Sequence, residues 1–121
     1  MTREELLARC KTDWRGRETM YGPATGFVYF IAAGGNPPRA IKIGFTVNDP
    51  RRRLASLQTS NHEHLRLMGY VPGTQTMEAE FHDVCSALRI RGEWFESNLY
   101  ILRLMWDQIE TAEFFEAEAA R

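Results

Sequence analysis

Two short apolar runs, Gly26 to Ala33 and Ala40 to Phe45, flank the stretch Gly34-Gly35-Asn36-Pro37-Pro38. Runs of this length, rich in β-branched and aromatic residues and separated by Gly and Pro, predict a β-hairpin with a long loop. Alternation puts Phe27, Tyr29 and Ile31 on one face of the first strand and Val28 and Phe30 on the other. Both faces are apolar, so this strand is expected to be covered on both sides. In the second strand Ile41, Ile43 and Phe45 share a face, and Lys42 shares the opposite one with Ala40 and Gly44. Small neighbours leave space beside Lys42, whose ammonium needs water or an anion within reach. Gly44 permits a close approach to the backbone.

The same procedure carries along the chain. Asp49 and Pro50 suit the N-cap and first position of a helix through Arg51, Arg52 and Arg53 to Thr59, with Leu54 and Leu57 inward. The arginines fan round this helix, so at least one lies beside its buried stripe. Ser60-Asn61-His62 ends it. Leu65 to Val71 is a third strand, closed by Pro72-Gly73. A second helix starts near Thr76, with Met77, Phe81, Cys85 and Leu88 at helical spacing as its core face. Glu78 and His82 stand at i and i+4 one step round from that stripe, on a line that can face a cleft.

At the chain's ends, Thr2-Arg3-Glu4-Glu5 has the form of a capping box and predicts a short helix to about Trp14, then a polar linker. Ser97 or Asn98 caps a last amphipathic helix with Leu102, Met105, Trp106 and Ile109 inward and a fraying tail from Glu110. Three strands cannot bury themselves, so helices must cover the sheet. The expected fold is α+β: a small three-stranded antiparallel sheet flanked by helices in an α/β/α sandwich, with accessory helices at both ends. Its expected divisions are an arm and linker over 1–24, a domain over 25–98, and a helix over 99–121 packed on that domain.

Composition narrows the class. A chain of 121 residues with 44% hydrophobic and 26% charged residues is long enough for one domain with a real core. No apolar run approaches the ~20 residues of a membrane span. The charged N-terminus is not a secretory signal. Cys10 and Cys85 lie far apart in helical patterns, which fits a reduced, cytoplasmic chain without a disulfide framework. The net charge of -1 hides an asymmetry. Arg39, Lys42, Arg51, Arg52 and Arg53 face only Asp49, whereas Asp107, Glu110, Glu113, Glu116 and Glu118 cluster without a base. A polyanion would meet the first region and avoid the second. Two solvated helix faces would show the same charges.

In series, Val28-Tyr29-Phe30-Ile31, Lys42-Ile43-Gly44, Arg53-Leu54-Ala55-Ser56-Leu57-Gln58-Thr59, Glu78-Ala79-Glu80-Phe81-His82 and Gly92-Glu93-Trp94-Phe95 resemble the GIY-YIG nuclease superfamily. The resemblance is closest to the branch of the phage T5 orf172 and meiotically up-regulated gene 113 domains, and covers roughly residues 26 to 98. Each motif alone is weak; five in order are specific. Lys42 stands where the wider superfamily has a second tyrosine, as is usual in this branch. The gap to the arginine is one residue longer than expected. The Arg-Leu-x-x-Leu-Gln-Thr match favours Arg53, with Arg52 as the alternative.

The resemblance implies a metal-dependent phosphodiesterase acting on nucleic acid, expected to be DNA. Glu78 offers one hard oxygen ligand for a single Mg²⁺ or Mn²⁺ that keeps most of its waters. Arg53 offers a permanently charged donor fork for phosphate, and Arg39, Arg51 and Arg52 add backbone contacts. Tyr29 would orient water or relay its proton; as a base it needs a phenol pKa well below ~10, and Lys42 and the metal are the expected causes. Lys42 contacts the phosphate in the other version of this scheme. His82 is a candidate proton relay. Two cuts by a one-site enzyme would invite a homodimer or larger complex.

Taken singly, these residues have plainer readings. Tyr29 is a satisfied core tyrosine, Glu78 and His82 a surface pair, and Lys42 a snorkelling side chain. Trp94 and Phe95 close the core rather than stack on bases. His62 and His64 lack a credible metal partner. Besides an active nuclease, a non-cleaving nucleic-acid-binding module of the same fold and a protein-interaction module remain open.

Overall fold

The computed structural model describes residues 18, 19 and 21–120, with side chains as far as Ile109. The predicted N-terminal helix and Cys10 lie outside these residues. In the stretch read as a linker, β1 (Glu18–Thr19) pairs antiparallel with β2 (Gly22–Pro23). The predicted hairpin forms from β3 (Gly26–Ala33) and β4 (Ala40–Thr46), in register from Phe27↔Thr46 to Ala33↔Ala40. After α1 (Pro50–Gln58), β5 (Leu65–Gly73) pairs with the other edge of β3. Pro72 is inside this strand rather than closing it; β5 is an edge strand, where a missing N–H costs no ladder bond.

The main sheet has five strands, not three. Beyond α2 (Gln75–Val84) and a 3₁₀ turn over Ser86–Leu88, the chain forms β6 (Arg89–Arg91) and β7 (Trp94–Glu96). The order is β5-β3-β4-β7-β6, and every pairing is antiparallel. β6 and β7 have three residues each and little apolar alternation, so periodicity gives no sign of them. Pairing to β4 defines them instead.

Opposite registers place two layers on the sheet. Val28, Phe30, Ile41, Ile43 and Phe95 face α2, through Met77 and Phe81, and α3 (Leu99–Ala120), through Ile101, Met105 and Ile109. Full burial of each such side chain contributes about 1.5–3 kcal/mol, so this larger layer dominates the packing energy. The other face carries Tyr29, Ile31, Ala33 and Leu65 against Leu54 and Leu57 of α1. The α/β/α arrangement holds. Within α3, Ile101 takes the inner place expected for Trp106, which is 43% exposed. The helix spans Leu99–Ala120, the expected tail from Glu110 included.

Local chemistry fixes the helix ends. Asp49 caps α1 by accepting from the Arg51 amide at 2.9 Å, and Thr74 caps α2 through the Met77 amide at 3.2 Å. Asn98, one of the two expected caps, accepts from the Ile101 amide at 3.1 Å. Gln58 joins the end of α1 to the start of β5: its amide donates to the carbonyls of Asn61 and Glu63 and its oxygen accepts from the Leu65 amide. The motif glutamine is thus a structural clamp.

Tyr29 and Gly44 are register partners, and the tyrosine ring crosses directly over the glycine. A Cβ at position 44 would overlap the ring Cζ and hydroxyl of Tyr29. Gly44→Ala is therefore expected to destabilise the fold by about 1–3 kcal/mol, the usual cost of overpacking. Urea denaturation checks this; an unchanged midpoint would contradict the ring's position.

Candidate functional site

β7 covers β4 only from Ala40 to Lys42, through the pairs Ala40↔Glu96, Ile41↔Phe95 and Lys42↔Trp94. At Ile43 the edge must find other partners. Its amide donates to the Glu93 carbonyl at 3.0 Å, and its carbonyl pairs with His82 Nε2 at 2.7 Å. A carbonyl only accepts, so Nε2 carries the proton and Nδ1 is the basic atom of the neutral ring. The ring packs 5.2 Å from that of Phe95. His82 thus reaches round the sheet from α2 and caps the strand where β7 ends.

The turn between β6 and β7 supplies the anion that Lys42 requires. Lys42 Nζ lies 2.8 Å from Glu93 Oε2, with only 10% of its side chain exposed. It also sits 5.7 Å from the centre of the Trp94 ring. Tyr29 and Lys42 belong to the α1 face of the sheet. Tyr29 is 1% exposed, and its hydroxyl accepts a long hydrogen bond from Arg53 Nε at 3.4 Å. Arg53, not Arg52, therefore meets the tyrosine. Arg53 is also the cation on the phenol oxygen, a place expected for Lys42. The tyrosine hydroxyl, and secondarily Glu93, raise the guanidinium pKa above its ordinary value.

Glu78 extends from the α2 layer, on the opposite face. Burial pushes its carboxyl pKa up, and the neighbouring Glu93 carboxylate adds to this; His82 and Lys42 pull it down. Glu93 is thus felt by Lys42, Arg53 and Glu78 alike. The open edge of β4 lets groups from both layers meet. Tyr29 and Glu78 come from opposite faces of the sheet; Lys42, Arg53 and Glu78 each interact with Glu93, Tyr29 joins through Arg53, and His82 caps the adjacent Ile43 carbonyl. Glu93 lies in the Gly-Glu-Trp-Phe motif without an expected role of its own; its sequence signal is the strand lysine's need for an acid.

The remaining arginines separate. Arg51 folds back on its own N-cap, donating from Nε and Nη2 to Asp49 at 2.8–3.2 Å, which holds that carboxyl below its usual range. Arg52 lines an open groove of about 610 Å³ with Arg53, Ser56, Thr46 and Gln75. Arg39 immediately precedes β4 and pairs with Glu63. Phe95 closes the core as expected, whereas Trp94 is only half-buried. Cys85 is a buried free thiol, and burial raises its pKa.

Among the described residues no three His, Cys, Asp or Glu side chains gather as a ligand set. The donor chemistry nevertheless fits a hydrated divalent ion: Glu78 is a partly desolvated carboxylate beside a second one, and an ion that retains its waters needs few protein ligands.

The T5orf172 domain family matches residues 26–118. The chain belongs to that family. No curated protein and no solved structure matches it. The T5orf172 domain here runs from β3 into α3 and contains every residue of the site. Among the described residues, no helix is long and apolar enough to cross a membrane.

The raised Glu78 carboxyl has a consequence for stability. Its protonated form favours the fold, a contribution complete below the free pKa and lost as pH rises through the folded one. Gln mimics the protonated form. In metal-free protein, Glu78→Gln should melt above wild type at neutral pH, with the gap closing toward the ordinary value of 4.5. Thermal melts across pH test this; a gap independent of pH would contradict the assigned environment.

Proposed function

We propose that this T5orf172-domain protein is an endonuclease of the GIY-YIG kind that hydrolyses phosphodiester bonds in DNA, using one Mg²⁺ or Mn²⁺ held through Glu78. The reading is supported by a series of contacts at the β4 edge: Arg53 on the Tyr29 hydroxyl, Lys42 on Glu93, and Glu93 beside Glu78. Hydrolysis needs an oriented water, compensation of phosphoryl charge and a stabilised leaving oxygen. A divalent ion at this position supplies Lewis-acid polarisation of the phosphate and a template for water.

The chain's own groups divide the rest. Arg53 keeps Nε on Tyr29 and presents its Nη donors to a phosphate oxygen. That bond orients the Tyr29 oxygen while leaving its own proton to position the attacking water. Glu93 fixes the Lys42 ammonium beside the phosphate position, and His82 holds the strand edge, with Nδ1 as its site for accepting a proton. Arg52 adds a phosphate contact along its groove.

A second reading, nucleic-acid binding without cleavage, has one observation in its favour. Lys42 is neutralised by Glu93 instead of acting on Tyr29, and so supplies no activation of the phenol.

Cleavage assays separate the two. Glu78→Ala should abolish Mg²⁺-dependent cleavage with folding retained, and Arg53→Lys, which loses the donor fork, should lower kcat by roughly 10²–10³-fold. Cleavage by Glu78→Ala at the wild-type rate would remove Glu78 as the metal ligand. DNA binding without cleavage by the wild type across metals and substrates would favour the second reading. Binding in either case should weaken steeply with salt.

A further inference from the structure

A second groove, of about 510 Å³, opens on the α1 face at the far end of the hairpin. Its floor is Ala33 and Ala40, register partners in β3 and β4. Arg91, at the end of β6, and Trp94, at the start of β7, form one wall, and His62 stands on the segment after α1. Of the quoted motifs only Gly92-Glu93-Trp94-Phe95 touches this groove, through Trp94, and the proposed reaction does not use it.

Its chemistry is mixed in a specific way. Arg91 has no ion-pair partner among the described residues, and Arg39 is partly committed to Glu63. Beside these cations is a half-buried indole, an exposed Ile90 and an apolar floor. Phosphate needs the cations; a base needs an aromatic or apolar surface. The volume is that of a small-molecule pocket, too small for a duplex but sufficient for a nucleotide.

Trp94 ties the groove to the proposed reaction site, since the same indole lines the groove and stands beside the Lys42 ammonium. Ala33 is four residues from Tyr29 along β3, ~13 Å at the usual strand rise. A strand leaving the phosphate at Arg53 would therefore meet the groove a short distance on, along one face of the sheet.

We propose that this groove is a subsite for a single-stranded nucleotide flanking the cleaved bond, its base on Trp94 and its phosphate on Arg91. The proposal rests on the nuclease reading. It makes the substrate class nucleic acid with an unpaired stretch beside the cut, since a paired base cannot enter.

The test uses full-length protein carrying Glu78→Gln, so that bound strands stay intact, and measures fluorescence anisotropy with a labelled single strand and a blunt duplex of the same sequence. The parent should prefer the single strand. Adding Trp94→Leu should weaken single-strand binding roughly 10-fold, the scale of one lost base stack. Arg91→Gln, on the exposed β6 strand, should weaken it too and lower the slope of log affinity against log salt by about one. It also keeps the test open if Trp94→Leu fails to fold. Single-strand affinity and salt slope unchanged in folded Arg91→Gln would overturn the subsite, as would a parent that binds only the blunt duplex, with the nuclease reading intact in both cases. A parent that binds neither probe would overturn both.

Discussion

β7 stops one residue short of Ile43, and the arrangement of side chains at the β4 edge follows from that shortfall. Had the ladder continued, the Ile43 carbonyl would have been taken by a neighbouring strand, and the α2 layer would have been sealed from the α1 layer. Instead the carbonyl is capped by His82, the amide by the Glu93 backbone, and groups from both layers meet at one edge. An unpaired sheet edge is ordinarily a liability. Here three short-range hydrogen-bonding and ionic contacts occupy it, and the site is built from them.

The Lys42–Glu93 pair is the energetic centre of that edge. Its ammonium is nearly buried while its carboxylate is more than a third exposed. The pair therefore lies between exposed pairs, worth ~0–1 kcal/mol, and buried pairs, whose disruption costs about 3–5 kcal/mol. Its larger effect is on neighbours. By holding Glu93 in place, Lys42 keeps a second carboxylate beside Glu78, which with burial raises the Glu78 pKa. Lys42 thus pairs with an acid and not with the phenol.

Much of this was legible in the sequence, for identifiable reasons. The two-residue period of β3 and β4 put Tyr29 and Lys42 on one face, and Gly44 marked the close approach that the Tyr29 ring makes. The i,i+4 spacing on α2 put Glu78 and His82 on one line. What escaped has no periodic signal: β6 and β7 are too short and too charged to read, and so the register that aims Glu93 at Lys42 was invisible. Trp106 was misassigned because it lies one step of rotation from the Ile101-Met105-Ile109 stripe, where hydrophobicity alone cannot choose the inner face. Arg51 folds back onto its own helix cap, a contact that carries no sequence signal.

The proposed endonuclease requires that groups from both faces of the sheet form a single cation-binding, phosphate-cleaving site at the β4 edge. Paramagnetic broadening of amide resonances by Mn²⁺ measures this without reference to turnover. Broadening should centre on Ile43–Gly44, Glu78 and Glu93 and vanish in the Glu78→Ala protein. No site-specific broadening, or broadening centred on the acidic end of α3 and indifferent to Glu78, would contradict it.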